Sequence, residues 1–261
     1  MDDQEIIQKL KSICFFKHEF KKDKCVKIEF TDKSNCFFGT IRHNNNKKEI
    51  LKLINELKNL EYLDLRKNRI VESFVLDLPK LKYLDLGSNY LGEFPNWIEN
   101  LDLKFLNLGV NDLETLPDWI CCKKFEVLKL HKNKIKNIPE LNITNLKFLN
   151  LYQNKMDQIP KWIWNAKNLE FFSWGFSKVE KLPDEVCNLK KIIWFSFVFN
   201  DLKTIPESFC ELTKLQGARF SKNKIKELPK NFYNLKKIKE FLLYKNEIVK
   251  VPKQFSKVVK I

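Results

Sequence analysis

The sequence predicts an α/β repeat solenoid: an arc with a parallel sheet of about nine short strands on its concave face and irregular or 3-10 segments outside. Three observations predict it. An eleven-residue apolar pattern with Asn at its ninth position recurs nine times. A second pattern, built around proline, runs in phase with the first. Residues 1–58 fit neither and read as a cap of helix, hairpin and helix, leaving 59–261 for the solenoid.

The first pattern, L-x-x-L-x-L-x-x-N-x-L, opens at Leu60–Ile70 and Leu81–Leu91. It continues through Leu103–Leu113, Phe125–Ile135, Leu146–Met156 and Leu169–Val179, with looser copies at Ile192–Leu202, Leu215–Ile225 and Ile238–Ile248. The ninth positions are Asn68, Asn89, Asn111, Asn133, Asn154, Ser177, Asn200, Asn223 and Asn246. Eight of the nine prolines, from Pro95 to Pro252, fall six residues after a ninth position, in segments such as Leu182-Pro183-Asp184-Glu185-Val186.

Extended residues alternate in direction, so the fourth and sixth positions (Leu63 and Leu65 in the first copy) point inward and the third, fifth and seventh outward. One copy cannot cover its own apolar face, so neighbours must stack. The Asn sits where the chain leaves the strand, and its amide can bond peptide groups of adjacent copies as a ladder. Ser177 is shorter and predicts a weaker turn. Proline fixes φ on the outer side, which suits 3-10 segments better than long helices.

These residues resemble the leucine-rich-repeat family, in particular its short class of 21–23 residues with an L-P-x-x-[IF] segment. Ras-pathway scaffolds and many bacterial repeat proteins look similar. The resemblance covers about residues 51–261 and implies a parallel sheet lining the inside of an arc. Its motifs specify fold better than function.

The ends are less regular. Gln4–Phe16 carries a helical apolar stripe, Val26–Phe30 and Cys36–Ile41 read as a hairpin across Thr31–Asn35, and Lys47–Leu57 reads as a second helix. At the other end no capping element is visible after Pro252. Either the tail folds across the last repeat, or the final edge with Phe241, Leu243 and Phe255 is covered by another chain, giving a monomer or a weak oligomer.

Composition narrows the function. No apolar run approaches the roughly 18 residues of a membrane helix, so no membrane partner is expected. The acidic start leads into no signal-peptide core, and seven cysteines without a Cys-x-x-Cys pair favour a reducing, cytoplasmic setting. Cys14, Cys25 and Cys36 near His18 and His43 match no common zinc spacing, so no metal is expected. Six scattered glycines form no phosphate loop, and no cofactor or catalytic constellation is legible. The net charge of +15 rests on 44 lysines and only Arg42, Arg66, Arg69 and Arg219, a composition that points only weakly to nucleic acid.

The repeat register assigns a direction to each variable residue. The third position reads Tyr62, Tyr83, Phe105, Val127, Phe148, Phe171 and Trp194 before turning to Gly217 and Glu240. The fifth, mostly polar, includes Asp64, Asp85 and Arg219; beyond it lie Tyr152, Phe176, Val198 and Phe199. Gly87, Gly109 and Gly175 would leave hollows beside the stripe. A contiguous aromatic surface facing water marks a protein interface. The expectation is a non-catalytic recognition module or scaffold binding a protein or peptide through these residues, with Asp64 and Asp85 at one end and Arg219 and Lys222 at the other orienting the partner. The rival reading is a nucleic-acid-binding accessory protein, lysines on phosphates and rings stacking on bases. Trp97, Trp119, Leu141 and Trp162 form a smaller outer ladder, read either as packing between turns or as a second binding edge.

Overall fold

A computed structural model describes residues 1–14, 16–30, 44–71 and 74–261. Helix α1 spans Asp3–Ile13 and buries Ile6, Ile7 and Leu10. It opens with a reciprocal cap: the Asp2 carboxylate accepts the Glu5 N–H at 2.8 Å, and the Glu5 carboxylate accepts the Asp2 N–H at 3.2 Å. Asp3, itself buried, accepts the Cys25 N–H at 2.8 Å and ties the helix to the next element.

That element corrects the expected hairpin. α1 ends three residues before Phe16, and the chain forms β1 (Lys17–Lys21) antiparallel to β2 (Lys24–Glu29). Lys22 and Asp23 make the turn, with Lys22 in the left-handed region at φ 58°, as a two-residue hairpin requires. The partner of the Val26–Phe30 run is therefore the segment before it; Cys36–Ile41 lies outside the described residues. Helix α2, Asn44–Glu56, begins three residues earlier than expected and buries Ile50, Leu53 and Ile54.

Each repeat contributes one strand. They are β3 (Tyr62–Asp64), β4 (Tyr83–Asp85), β5 (Phe105–Asn107), β6 (Val127–Lys129), β7 (Phe148–Asn150), β8 (Phe171–Gly175), β9 (Trp194–Val198), β10 (Gly217–Arg219) and β11 (Glu240–Leu242). Third positions pair with third positions throughout, as in Tyr62↔Tyr83 and Phe148↔Phe171. β2 pairs in parallel with β3, and a last strand, β12 (Val259–Lys260), pairs with β11. The described sheet thus holds 12 strands in chain order, three more than the repeats alone supply. Exposed Lys17, Glu19 and Lys21 on β1 discourage further pairing at that edge.

At the C-terminal edge the tail folds across the last repeat. Phe255 packs on Phe232 with ring centroids 4.8 Å apart. Phe241 and Leu243 are 0% and 1% exposed, so the chain itself covers the edge that was the alternative seat for another chain.

The fourth and sixth positions fill the core. They are leucine through the fifth repeat and, apart from Ala218 and Leu243, aromatic after it: Phe172, Trp174, Phe195, Phe197, Phe220 and Phe241 are all buried. Ala218 at one fourth position offsets the larger rings around it, since added core volume must be given back nearby. Outside the core, each repeat from the second onward except the fourth turns through a short 3-10 segment beginning just after its proline, from Asn96–Asn100 to Lys253–Phe255.

The asparagine ladder joins neighbours. Asn111 donates to the carbonyls of Leu86 and Leu108, both at 3.0 Å, and accepts the Leu91 N–H at 3.0 Å. Asn89, Asn133, Asn154, Asn223 and Asn246 repeat the arrangement. At Ser177 a different network takes over. The Trp174 indole N–H donates to Ser177 Oγ at 2.8 Å, and that hydroxyl lies 2.6 Å from Asn200 Oδ1, to which it donates.

Candidate protein-binding face

Third-position side chains stand on the outer surface of the sheet and lie against one another. Tyr62 stacks on Tyr83 at 3.9 Å, Tyr83 on Phe105 at 3.9 Å and Phe148 on Phe171 at 4.0 Å, with interplanar angles of 12°, 13° and 5°. In-register strands about 4.8 Å apart put identical positions at stacking distance. Val127 interrupts the rings, and Lys129 fills the gap: its ammonium lies 5.0 Å from the Phe105 centroid and 5.2 Å from that of Phe148. Trp194 ends the row. A Cβ on Gly217 would come within 2.0 Å of the Trp194 ring, so the missing side chain is what lets the indole lie flat over the next strand.

A second aromatic row runs beyond the strands. Tyr152 meets Phe176 edge-on at 5.2 Å, and Phe176 stacks on Phe199 at 4.0 Å. Phe176 and Phe199 occupy the left-handed region, φ 63° and 56°, as does Val110 at 59°. Bulky and β-branched residues rarely accept that conformation. The repeat turn imposes it on the eighth position of all nine copies, and in these three copies the residue bearing it is apolar and at least partly exposed.

The fifth position departs from expectation. Asp64 and Asp85 are 1% and 2% exposed and do not face a partner. Their carboxylates turn back to cap the strand ends: Asp64 accepts the Arg66 N–H at 3.0 Å and Asp85 the Gly87 N–H at 2.9 Å. Asn107 and Asn150 accept the Gly109 and Tyr152 N–H groups in the same way. Short carboxylates and amides bond the backbone two residues on, which is why this position favours them. Arg66 neutralises the pair, its guanidinium 2.6 Å from Asp64 and 3.4 Å from Asp85. The hydrogen bond to Asp64 holds the Arg66 pKa above its usual value; burial raises that of Asp85. In the sixth and seventh repeats the fifth position is Ser173 and Ser196, and there the ladder continues to Gly175↔Val198.

The expected hollows are filled. Asn107 covers Gly87, the His131 ring covers Gly109, and Tyr152 with the Val198 carbonyl closes on Gly175. His131 leaves Nδ1 buried without a hydrogen-bond partner among the described residues. Burial first, then Lys129 and Lys132, push its pKa down to about 4, so it is uncharged at neutral pH.

Two predicted electrostatic anchors do sit on the surface. Arg219 lies over the Trp194 ring at 4.9 Å and Lys222 over that of Phe199 at 3.8 Å. Lys129 is the residue that sequence reasoning passed over. Its signal was a lone lysine at the fifth position of the one early copy whose third position lacks a ring. On the outer side, Phe74 lies 5.8 Å from Trp97 and Phe94 5.4 Å from Trp119, so these indoles pack between adjacent turns.

The family model for leucine-rich repeats in two copies matches residues 58–102. A solved leucine-rich-repeat protein of Leptospira interrogans is 30% identical over 80% of this chain, with a TM-score of 0.66. The chain is a leucine-rich-repeat protein. The same architecture is found in the Arabidopsis receptor kinase HAESA, solved with the peptide hormone IDA and a co-receptor: 23% identity over 94% of this chain, TM-score 0.74. The plant peptide hormone receptor RGFR1, solved with RGF2, is 29% identical over 77% of this chain, TM-score 0.62. This leucine-rich-repeat chain covers 62%, 46% and 35% of those three chains, less than two thirds of each. No curated protein sequence matches it. Among its described residues no helix is long and apolar enough to cross a membrane.

Proposed function

We propose that this leucine-rich-repeat protein is a non-catalytic recognition module, or scaffold, that binds a protein or peptide on its concave face. Residues 1–58 act as its N-terminal cap, and it works in the cytoplasm. One observation carries the reading: seven consecutive repeats place an apolar or aromatic side chain at the same outward position, in a half-buried row. Large rings at the centre of such a patch are the usual energetic anchors of an interface. The peptide-binding receptor RGFR1 lends support as a relative by fold and partial sequence. Asp64 and Asp85 drop out as partner contacts, since Arg66 already satisfies them, and the central contact becomes Phe148, Phe171 and Trp194 flanked by Tyr152, Phe176 and Phe199.

The test is capture of partners from the source cell's lysate on immobilised protein, wild type against Phe171→Ala/Trp194→Ala. Each truncation should cost about 2 kcal/mol, roughly thirtyfold in affinity, with the circular dichroism spectrum unchanged. Partners retained equally by both proteins would remove the concave face as the site. Raising salt to physiological strength should leave aromatic contacts standing, whereas a nucleic-acid complex would weaken steeply.

A further inference from the structure

The concave trough between the two aromatic rows has a one-sided charge. At the third, fifth, seventh and eighth positions of repeats three to nine the cations are Lys129, Lys132, Arg219, Lys222 and Lys245, and the one acid is Glu240. Glu240 makes only a loose pair with Arg219, at 3.8 Å between two well-exposed groups, which an incoming carboxylate can replace. Among the flanking acids, Glu126 pairs with Lys104 and Lys147, Asp112 with Lys134 and Asp201 with Lys224, while Glu170, next to Phe171, is exposed. His131 is neutral at physiological pH for the reasons given above.

Three of these cations are also held over rings. Lys129 bridges Phe105 and Phe148, Arg219 covers Trp194 and Lys222 covers Phe199. A cation seated on an aromatic face has already given up rotamer freedom, so it meets a carboxylate at a reduced entropic cost. Between them the trough floor carries half-buried Asn150, whose amide oxygen accepts the Tyr152 N–H, and the buried residues Ser173 and Ser196.

We propose that the occupant of this trough is an acidic, extended peptide segment lying across the strands, with two carboxylates about six residues apart and apolar side chains between them. The proposal rests on the concave-face reading and refines it. The spacing follows from the register. Lys129 is on β6 and Arg219 on β10, four strand intervals or roughly 19 Å at about 4.8 Å each, and an extended chain advances about 3.3 Å per residue. The first carboxylate meets Lys129, the second meets Arg219 and Lys222, and the intervening apolar groups lie on Phe148, Phe171 and Trp194.

The test uses a phage-displayed library of random dodecapeptides, panned at about 50 mM salt on the folded full chain. Three proteins are compared: wild type, Phe171→Ala/Trp194→Ala, and Lys129→Met/Arg219→Met, which keeps apolar stems and removes charge. The expected result is enrichment on wild type of peptides with paired acids five to seven positions apart around Phe, Leu or Trp. Their affinity should fall at least tenfold on the Met variant. Neutral or basic winners, or acidic winners that bind the Met variant undiminished, overturn the acidic-peptide proposal and leave the concave-face reading in place. No enrichment on wild type over the Ala variant removes both. A labelled twenty-nucleotide oligothymidylate that displaces the selected peptides would make the trough a general polyanion site and also overturn the proposal.

Discussion

His131 shows how one side chain couples the surface to stability. Its imidazole lies over Gly109 in place of a Cβ, and its pKa is lowered to about 4. The native state therefore binds fewer protons than the unfolded chain between about pH 6.5 and 4, and stability is lost as pH falls through that window. Allowing for solvent screening at a partly exposed ring, the loss should be about 1–2 kcal/mol. Buried Asp85, its pKa raised first by burial, works in the opposite sense: just above the ordinary carboxylate range the native state binds more protons than the unfolded chain, so this contribution weakens as pH rises through that window. His131→Phe keeps a ring over Gly109 and isolates the imidazole's part. Urea midpoints at pH 7 and pH 4.5 should then differ less in His131→Phe than in wild type; an unchanged difference would assign the acid sensitivity elsewhere.

Among the elements, the sixth and seventh repeats break the pattern in several places together, and the breaks are physically linked. An indole at the sixth position needs a hydrogen-bond acceptor, and Ser177 supplies one where asparagine would have bonded carbonyls instead. Ser177→Asn should cost about 1–2 kcal/mol by depriving Trp174 of that acceptor. Trp174→Leu should cost about 2–4 kcal/mol through the cavity it leaves. The double variant restores the pairing of leucine and asparagine used in the second to fifth repeats, so the two costs should not add, with a coupling of at least about 1 kcal/mol by urea denaturation. Additive losses would mean that the two substitutions are independent. The repeats, their outer prolines and the inward leucines could all be read from the sequence, because one periodicity determines them. The fifth position could not. An aspartate that caps its own strand and one that faces a partner look alike until the N–H of Arg66 or Gly87 is in view. The hairpin was misplaced for a related reason: Lys17–Lys21 has too few apolar residues to announce a strand, and it becomes one by pairing with β2.

For the whole molecule, the two ends are closed by different means. At the start a hairpin with charged β1 ends the sheet; at the finish a two-residue strand and one phenylalanine do so. Removing residues 253–261 should expose Phe241 and Leu243, lower stability by about 2–4 kcal/mol and produce association visible by light scattering, while the intact chain stays monomeric. An unchanged melting temperature in the truncated chain would show that the tail closes nothing. The aromatic row could be foreseen because register alone sets its direction, whereas the filling of the glycine hollows depends on which neighbour reaches across, and no single copy records that. Trp194 belongs to the seventh repeat, yet its seat is the bare backbone of Gly217 in the eighth. Shuffling or duplicating one repeat would thus move a side chain away from the place prepared for it. A side chain placed at position 217 would therefore demand a smaller residue at 194.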